Sequence, residues 1–171
     1  MKAEYLKDIE LTFERDGLVV ELDICDALTR MTVDVKVSER LTDGRLDHKA
    51  WVMTEFDDLY NKIRFVDLYS YQKQVGYSSL AVSILVELYK SIMEPTLLSA
   101  TKCYGNLSSI GDENPEIQHL KRVKFWSDLG FSVSQGGHED NPRMVCLLQN
   151  LSISPNAKDV SQEFYKISNY V

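Results

Sequence analysis

The run Lys73-Gln74-Val75-Gly76-Tyr77-Ser78-Ser79 is the part of this chain best suited to chemistry. It joins an apolar segment, Ile63 to Tyr71, to a long apolar run from Ser78 to Met93 that Pro95 ends. The first reads as a central strand and the second as a helix. A strand that turns directly into a helix leaves the first backbone N–H groups of that helix without internal partners. With the helix dipole they form an anion site suited to a pyrophosphate. Gly76 lets a phosphate approach the backbone, Ser78 and Ser79 offer hydroxyl donors, and Lys73 offers a positive charge. Neither the Walker pattern nor Gly-x-Gly-x-x-Gly is present.

Four further side chains have the chemistry for proton transfer or ligand contact. Asp67 lies among Ile63, Phe65 and Tyr69. A carboxylate in such surroundings tends to a raised pKa, which suits a general base. The plainer reading is an Asp paired with a nearby cation or facing solvent. Tyr104 follows the strand after the long helix and is a candidate acid. His119 and Arg122 fall in a later helix; His119 could donate to a ligand or simply sit on the helix surface, and Arg122 carries a positive charge. Glu139-Asp140 beside His138 reads as a solvated turn.

The chain that positions these residues has 171 residues, which suits one domain with one core. Its net charge of −7 speaks against general nucleic-acid binding, since phosphate neutralisation needs clustered Lys and Arg. No apolar run is long enough to span a bilayer, and Met1-Lys2-Ala3-Glu4 leads into no signal-peptide core, so a cytoplasmic protein without membrane contact is expected. The three cysteines, Cys25, Cys103 and Cys146, are odd in number and widely spaced; they read as core packing in a reducing compartment. The three histidines have no metal-ligand spacing, so no metal is expected.

Alternation gives three strands at the start. Ile9, Leu11 and Phe13 form the first; Asp16-Gly17 turns the chain; Leu18, Val20, Leu22 and Ile24 form the second; Met31, Val33, Val35 and Val37 form the third. Val52, Phe56, Leu59 and Tyr60 then fall on one face of a short helix over about 50–60. After the long helix, Thr96 to Cys103 reads as a strand. Asn114-Pro115 starts a helix that Gly130 stops. Phe131 to Ser134 and Met144 to Leu151 read as the last strands, with a loop from Gly136-Gly137 between them and a short helix at Val160 to Ile167.

A strand, the 71–79 loop, a helix, a strand, and a second helix ending in Leu129-Gly130-Phe131 before two strands together resemble the GCN5-related N-acetyltransferase family. The likeness covers about half of the chain, from Asn61 to Leu148. It implies an α+β fold, GNAT-like, with a mixed, mostly antiparallel sheet and helices packed on both faces. The single domain, 1–171, then divides into a meander plus helix (1–60), a cofactor-binding core (61–150) and a C-terminal extension (151–171).

The resemblance also implies acetyl-CoA as co-substrate and an amine acceptor. The family's Arg/Gln-x-x-Gly-x-Gly/Ala loop matches Lys73-Gln74-Val75-Gly76-Tyr77-Ser78, with Ser79 following. Gly76 fits; Lys73 and Ser78 depart from the pattern. Leu68, Tyr69, Ser70 and Tyr71 would receive the pantetheine arm by backbone pairing, with a backbone N–H polarising the acetyl carbonyl. Aligning on Leu129-Gly130-Phe131 sets Trp126 where many members carry the Tyr that protonates the departing thiolate, His119 where they carry Asn, and Arg122 where they carry Ala. An indole N–H is too weak an acid for that work.

Two functions follow. One is an acetyl-CoA-dependent N-acyltransferase in which the amine attacks directly. The other is a non-catalytic GNAT-like binding or regulatory module, whose early strands offer a dimer interface.

Overall fold

The structure is a computed structural model and describes residues 9–27, 30–71, 76–107, 114–134 and 143–152. Alternation carries the first half of the chain into β1 (Ile9–Arg15), β2 (Leu18–Ala27) and β3 (Arg30–Arg40), as expected. Asp16 and Gly17 both take positive φ (52° and 78°), which suits the tight turn between β1 and β2. The expected helix over 50–60 is instead a fourth strand, β4 (Leu46–Asp57). Ala50, Val52, Thr54 and Phe56 are buried at every second position. Val52 and Phe56 satisfy both periods, four being close to one helical turn and also two strand repeats. Thr54 decides the matter: its hydroxyl is buried but bonds the Tyr89 hydroxyl (2.9 Å). Leu59 and Tyr60, assigned to the helix face, are exposed in the turn that follows.

From there β5 (Lys62–Ser70) leads to α1 (Tyr77–Ile92). The expected strand from Thr96 begins as a short helix, α2 (Pro95–Ala100), with Pro at its start, and only then becomes β6 (Lys102–Asn106). Pro95 thus opens a helix as well as following one. Next come α3 (Pro115–Asp128), β7 (Ser132–Val133), β8 (Arg143–Leu147) and a 3-10 turn at Leu148–Asn150. At the end of α3 the Phe131 N–H bonds the Trp126 carbonyl and the Gly130 N–H bonds that of Ser127 (both 3.0 Å), the Schellman closure that Gly130 signals in the sequence. The loop from Gly136-Gly137 and the helix at Val160 to Ile167 lie outside the described residues.

The strands form one sheet in the order β1-β2-β3-β4-β5-β6-β8-β7. Every adjacent pair is antiparallel except β5 and β6. A mixed, mostly antiparallel sheet is therefore present; helices on both of its faces are not seen. Phe65 sits opposite Thr54 across β4 and β5, so the two share a face. Thr54 meets Tyr89 of α1, and the Phe65 ring meets Trp126 of α3 edge-on at 5.4 Å. Both helices thus pack on one face, around Val33, Val35, Val52, Ile63, Ile84, Leu85 and Tyr89. No described helix packs on the other, here called the far face. The difference arises before Tyr77, where the described chain is strand and turn and supplies no helix to cover it. Cys103 lies in the core as expected, whereas Cys25 is exposed, being out of phase with Leu22 and Ile24. Among the described residues no helix is long and apolar enough to cross a membrane.

Candidate active-site cleft

Two features of β5 shape the site. Its register with β4 shifts between Met53↔Asp67 and Thr54↔Phe65, leaving Val66 as an extra, unpaired residue, a β-bulge. Its parallel pairing with β6 runs only from Lys62↔Lys102 to Phe65↔Gly105. Beyond that rung β5 continues to Ser70 with no β6 partner. The sheet therefore opens into a wedge at the bulge, with unpaired β5 backbone along one wall. Gly105 allows the close approach at the last paired rung. A Cβ there would come within 2.5 Å of Met144 Cε and 3.1 Å of the Phe65 carbonyl oxygen.

In chain order α1 follows β5 and α3 follows β6. Gly76 precedes α1 with φ at 89°, a left-handed conformation that glycine adopts without strain. Among the described residues no side chain caps the start of α1, and its first turn holds no carboxylate. The Ser78 hydroxyl oxygen is buried and has no hydrogen-bond partner among the described residues. Ser79 gives its carbonyl to the Ser83 hydroxyl (2.7 Å). Lys73, Gln74 and Val75 lie outside the described residues.

Tyr77 turns away from the expected ligand. Its hydroxyl donates to Glu39, which also meets Lys49 (3.3 Å), and Lys49 in turn bonds Asp47 (2.6 Å). The bond from Tyr77, followed by that from Lys49, holds Glu39 below the usual carboxylate range. The same bond to Glu39 raises the Tyr77 phenol. Sequence reasoning missed this network, because Lys49 is the residue left over where the β3–β4 register shifts between Val37 and Ser38.

Leu68 is half-buried, and its N–H donates to the carboxylate of Asp67 (2.9 Å). Asp67 also takes a hydrogen bond from Tyr69, which raises the phenol of Tyr69. This candidate base is thus held by polar groups rather than by apolar neighbours. Tyr69, Ser70 and Tyr71 are exposed. Tyr69 stacks on Trp51 with ring centres 5.2 Å apart, and the Tyr71 N–H bonds the Lys49 carbonyl (2.9 Å). Tyr104 stands beside Arg64 across the parallel pair, on the far face.

In α3, His119, Arg122 and Trp126 fall at i, i+3 and i+7, along one side of the helix. Trp126 is buried against Phe65, Phe125 and Phe131. His119 and Arg122 are half-buried. Leu68 to Ser70 continue β5 past its last β6 partner, and Gly76 to Ser79 form the start of the helix that follows. Asp67 stands beside the bulge and, like Tyr104, on the far face.

A second group escaped sequence reasoning. On the far face Glu21, Lys36, Trp51 and Tyr69 form one cross-strand row, and Asp23, Asp34, Met53 and Asp67 form the next. The alternation of β2 and β3 marked these acids as facing away from the core but did not show that they converge.

No protein-family model matches this chain, and no curated protein matches it. Among solved structures it is similar to a crystal structure of nourseothricin acetyltransferase, at 11% identity and a TM-score of 0.41, covering 82% of this chain and 86% of that one.

Proposed function

We propose that this chain is an acyl-CoA-dependent N-acyltransferase, with acetyl-CoA as the co-substrate. The observation that carries the reading is the wedge: β5 leaves β6 directly after the Val66 bulge, and Gly76 opens an uncapped helix at the end of that same strand. A pantetheine arm needs unpaired strand backbone, and a pyrophosphate needs free helix N–H groups. The wedge and the helix start offer these in the order in which the cofactor carries them.

In this reading the amides from Val75 to Ser79, with Lys73, hold the pyrophosphate, and His119 and Arg122 lie alongside. Leu68 to Tyr71 pair with the pantetheine. A β5 backbone N–H at the bulge polarises the thioester carbonyl. The acceptor nitrogen forms the new N–C bond as the C–S bond breaks. One proton leaves the nitrogen and the thiolate takes up one, giving an amide and free CoA. Asp67 is the proposed base. Tyr104 is the proposed acid, and since both it and Asp67 stand on the far face the acyl group must reach that face. Alignment of amine and thioester supplies most of the rate.

A second reading is a non-catalytic binding module, favoured by Trp126. Its indole is buried in an aromatic cluster, so this position supplies no proton donor. Calorimetric titration with acetyl-CoA tests the first reading. The wild type should bind in the micromolar range, and Gly76→Asp should not, because the new carboxylate repels the pyrophosphate. Absence of binding to the wild type would refute the proposal; binding without CoA release across a panel of amines would favour the module.

A further inference from the structure

The far face carries a cavity of about 420 Å³ lined by Glu21, Asp34, Lys36, His48, Trp51 and Tyr71. That volume suits a small molecule. Its walls combine aromatic rings with an excess of carboxylate. Trp51 stacks on Tyr69 almost in parallel (6°), and Tyr71 lies 6.4 Å from the His48 ring, whose Nδ1 meets the Ser38 hydroxyl (2.9 Å).

The charges do not balance. Lys36 directs its ammonium to Asp23 (3.3 Å), and in the sheet register Asp23 and Asp34 stand directly opposite each other. Glu21, Asp23 and Asp34 set three carboxylates against the one ammonium of Lys36, an excess of two negative charges. Like charges facing across strands are unfavourable unless something neutralises them. Asp34 feels this most. Burial raises its pKa; Lys36 opposes that, Asp23 adds to it, and the Trp51 indole N–H relieves it least. Neither Asp34 Oδ1 nor Trp51 Nε1 completes a hydrogen bond of good geometry, although both atoms are buried. Two carboxylates, Asp34 and Glu21, lining one cavity beside aromatic faces are what an alkylammonium group satisfies, through charge-assisted hydrogen bonds and cation–π attraction.

We propose that this cavity binds a small aliphatic amine carrying at least two positive charges, with one ammonium at Asp34 and Glu21. From Asp34 on β3, the Trp51–Tyr69 stack leads across two strands to Asp67 beside the bulge, a span of roughly 10 Å. The second nitrogen of an extended oligoamine therefore reaches the wedge. Its service as the acceptor rests on the acyltransferase reading; cation binding in the cavity does not.

The test is a calorimetric titration of the full chain with spermidine at physiological salt, without acetyl-CoA, repeated with n-butylamine. Spermidine should bind at least tenfold more tightly than n-butylamine and change the fluorescence of Trp51. Asp34→Asn and Glu21→Gln should each weaken spermidine at least tenfold, while Glu116→Gln, an exposed acid on α3, should leave it unchanged. Removing the Asp34 charge relieves a desolvation penalty, so that variant should melt no lower than the wild type. Equal binding by wild type and Asp34→Asn, equal binding of the two amines, or no spermidine binding would each overturn the proposal. A separate acetyl-CoA titration keeps the two readings apart: spermidine binding without acetyl-CoA binding leaves the cavity standing and refutes acyl transfer, and the reverse refutes the cavity alone.

Discussion

Gly105→Ala should destabilise the protein, although glycine in a strand is ordinarily the weaker choice. Replacing glycine in a strand gains about 0.5–1 kcal/mol by restricting the unfolded chain. Here the added methyl meets Met144 Cε at 2.5 Å and the Phe65 carbonyl oxygen at 3.1 Å. Met144 is only 2% exposed, so its methyl has little room to swing aside. The Phe65 oxygen moves only if β5 moves. Overpacking costs about 1–3 kcal/mol, and two contacts this close put it at about 2–3, which less a gain of about 1 leaves a net loss of roughly 1–2 kcal/mol. For a chain of this size that lowers Tm by roughly 2–8 °C. Urea unfolding followed by tryptophan fluorescence reads it as a lower midpoint at an unchanged slope. Adding Met144→Val should restore part of the loss by freeing one of the two contacts. A single variant as stable as the wild type, or more so, would refute the claim that the last β5–β6 rung is sterically closed to a side chain.

Gly76→Ala should cost about 1 kcal/mol in stability, read by thermal melting, because its φ of 89° is strained for alanine although the space around it is empty. Tyr89→Phe should lose about 1 kcal/mol in urea unfolding by removing the buried partner of Thr54, and the double variant with Thr54→Val should lose less than the sum of the two single changes. Arg40 bonds Glu14 through both carboxylate oxygens (2.7 Å each) and lowers its pKa below 4.5. The stability this pair adds is therefore present above pH 4.5 and lost as pH falls through the depressed value; Glu14→Gln should flatten the fall in Tm over that acidic window. Asp34 has the opposite sign: its pKa is raised above 3.8, so ionisation costs stability as pH rises through that higher value, and Asp34→Asn should show the greater Tm advantage at pH 7 than at pH 3. A bond with Cys146, followed by burial, raises the Cys103 thiol, so thiol labelling at pH 8 should mark exposed Cys25 first and Cys103 only on unfolding.

The sequence made β1 to β3 legible because their apolar residues alternate without a break and Asp16-Gly17 marks the first turn. It made α1 and the stop at Gly130 legible for similar reasons. It misplaced β4 because Val52 and Phe56 fit a helix as well as a strand, and because a buried Thr54 makes sense only once Tyr89 stands above it. It misplaced α2 because Thr96, Leu97 and Leu98 carry no strong helical period over so short a run. For the site, Gly76 announces itself by type and position. The Val66 bulge does not, since it is set by how β4 and β5 fit together. The same holds for Asp34 and Glu21, which are distant in sequence and become neighbours only through the register of β2 and β3.

The strand order has a consequence for how the protein is made. The meander from β1 to β5 pairs each strand with the one synthesised just before it, so that half can form while the chain is still emerging. The other half cannot. β8 lies between β6 and β7 and is the strand that β7 pairs with. Residues 143–147 must therefore be synthesised, and must insert between two older strands, before β6 gains its second neighbour. The wall of the cleft that β6 provides is a late product of translation. A chain halted just short of Arg143 would carry every residue proposed to hold the cofactor on a sheet whose far half had not yet closed.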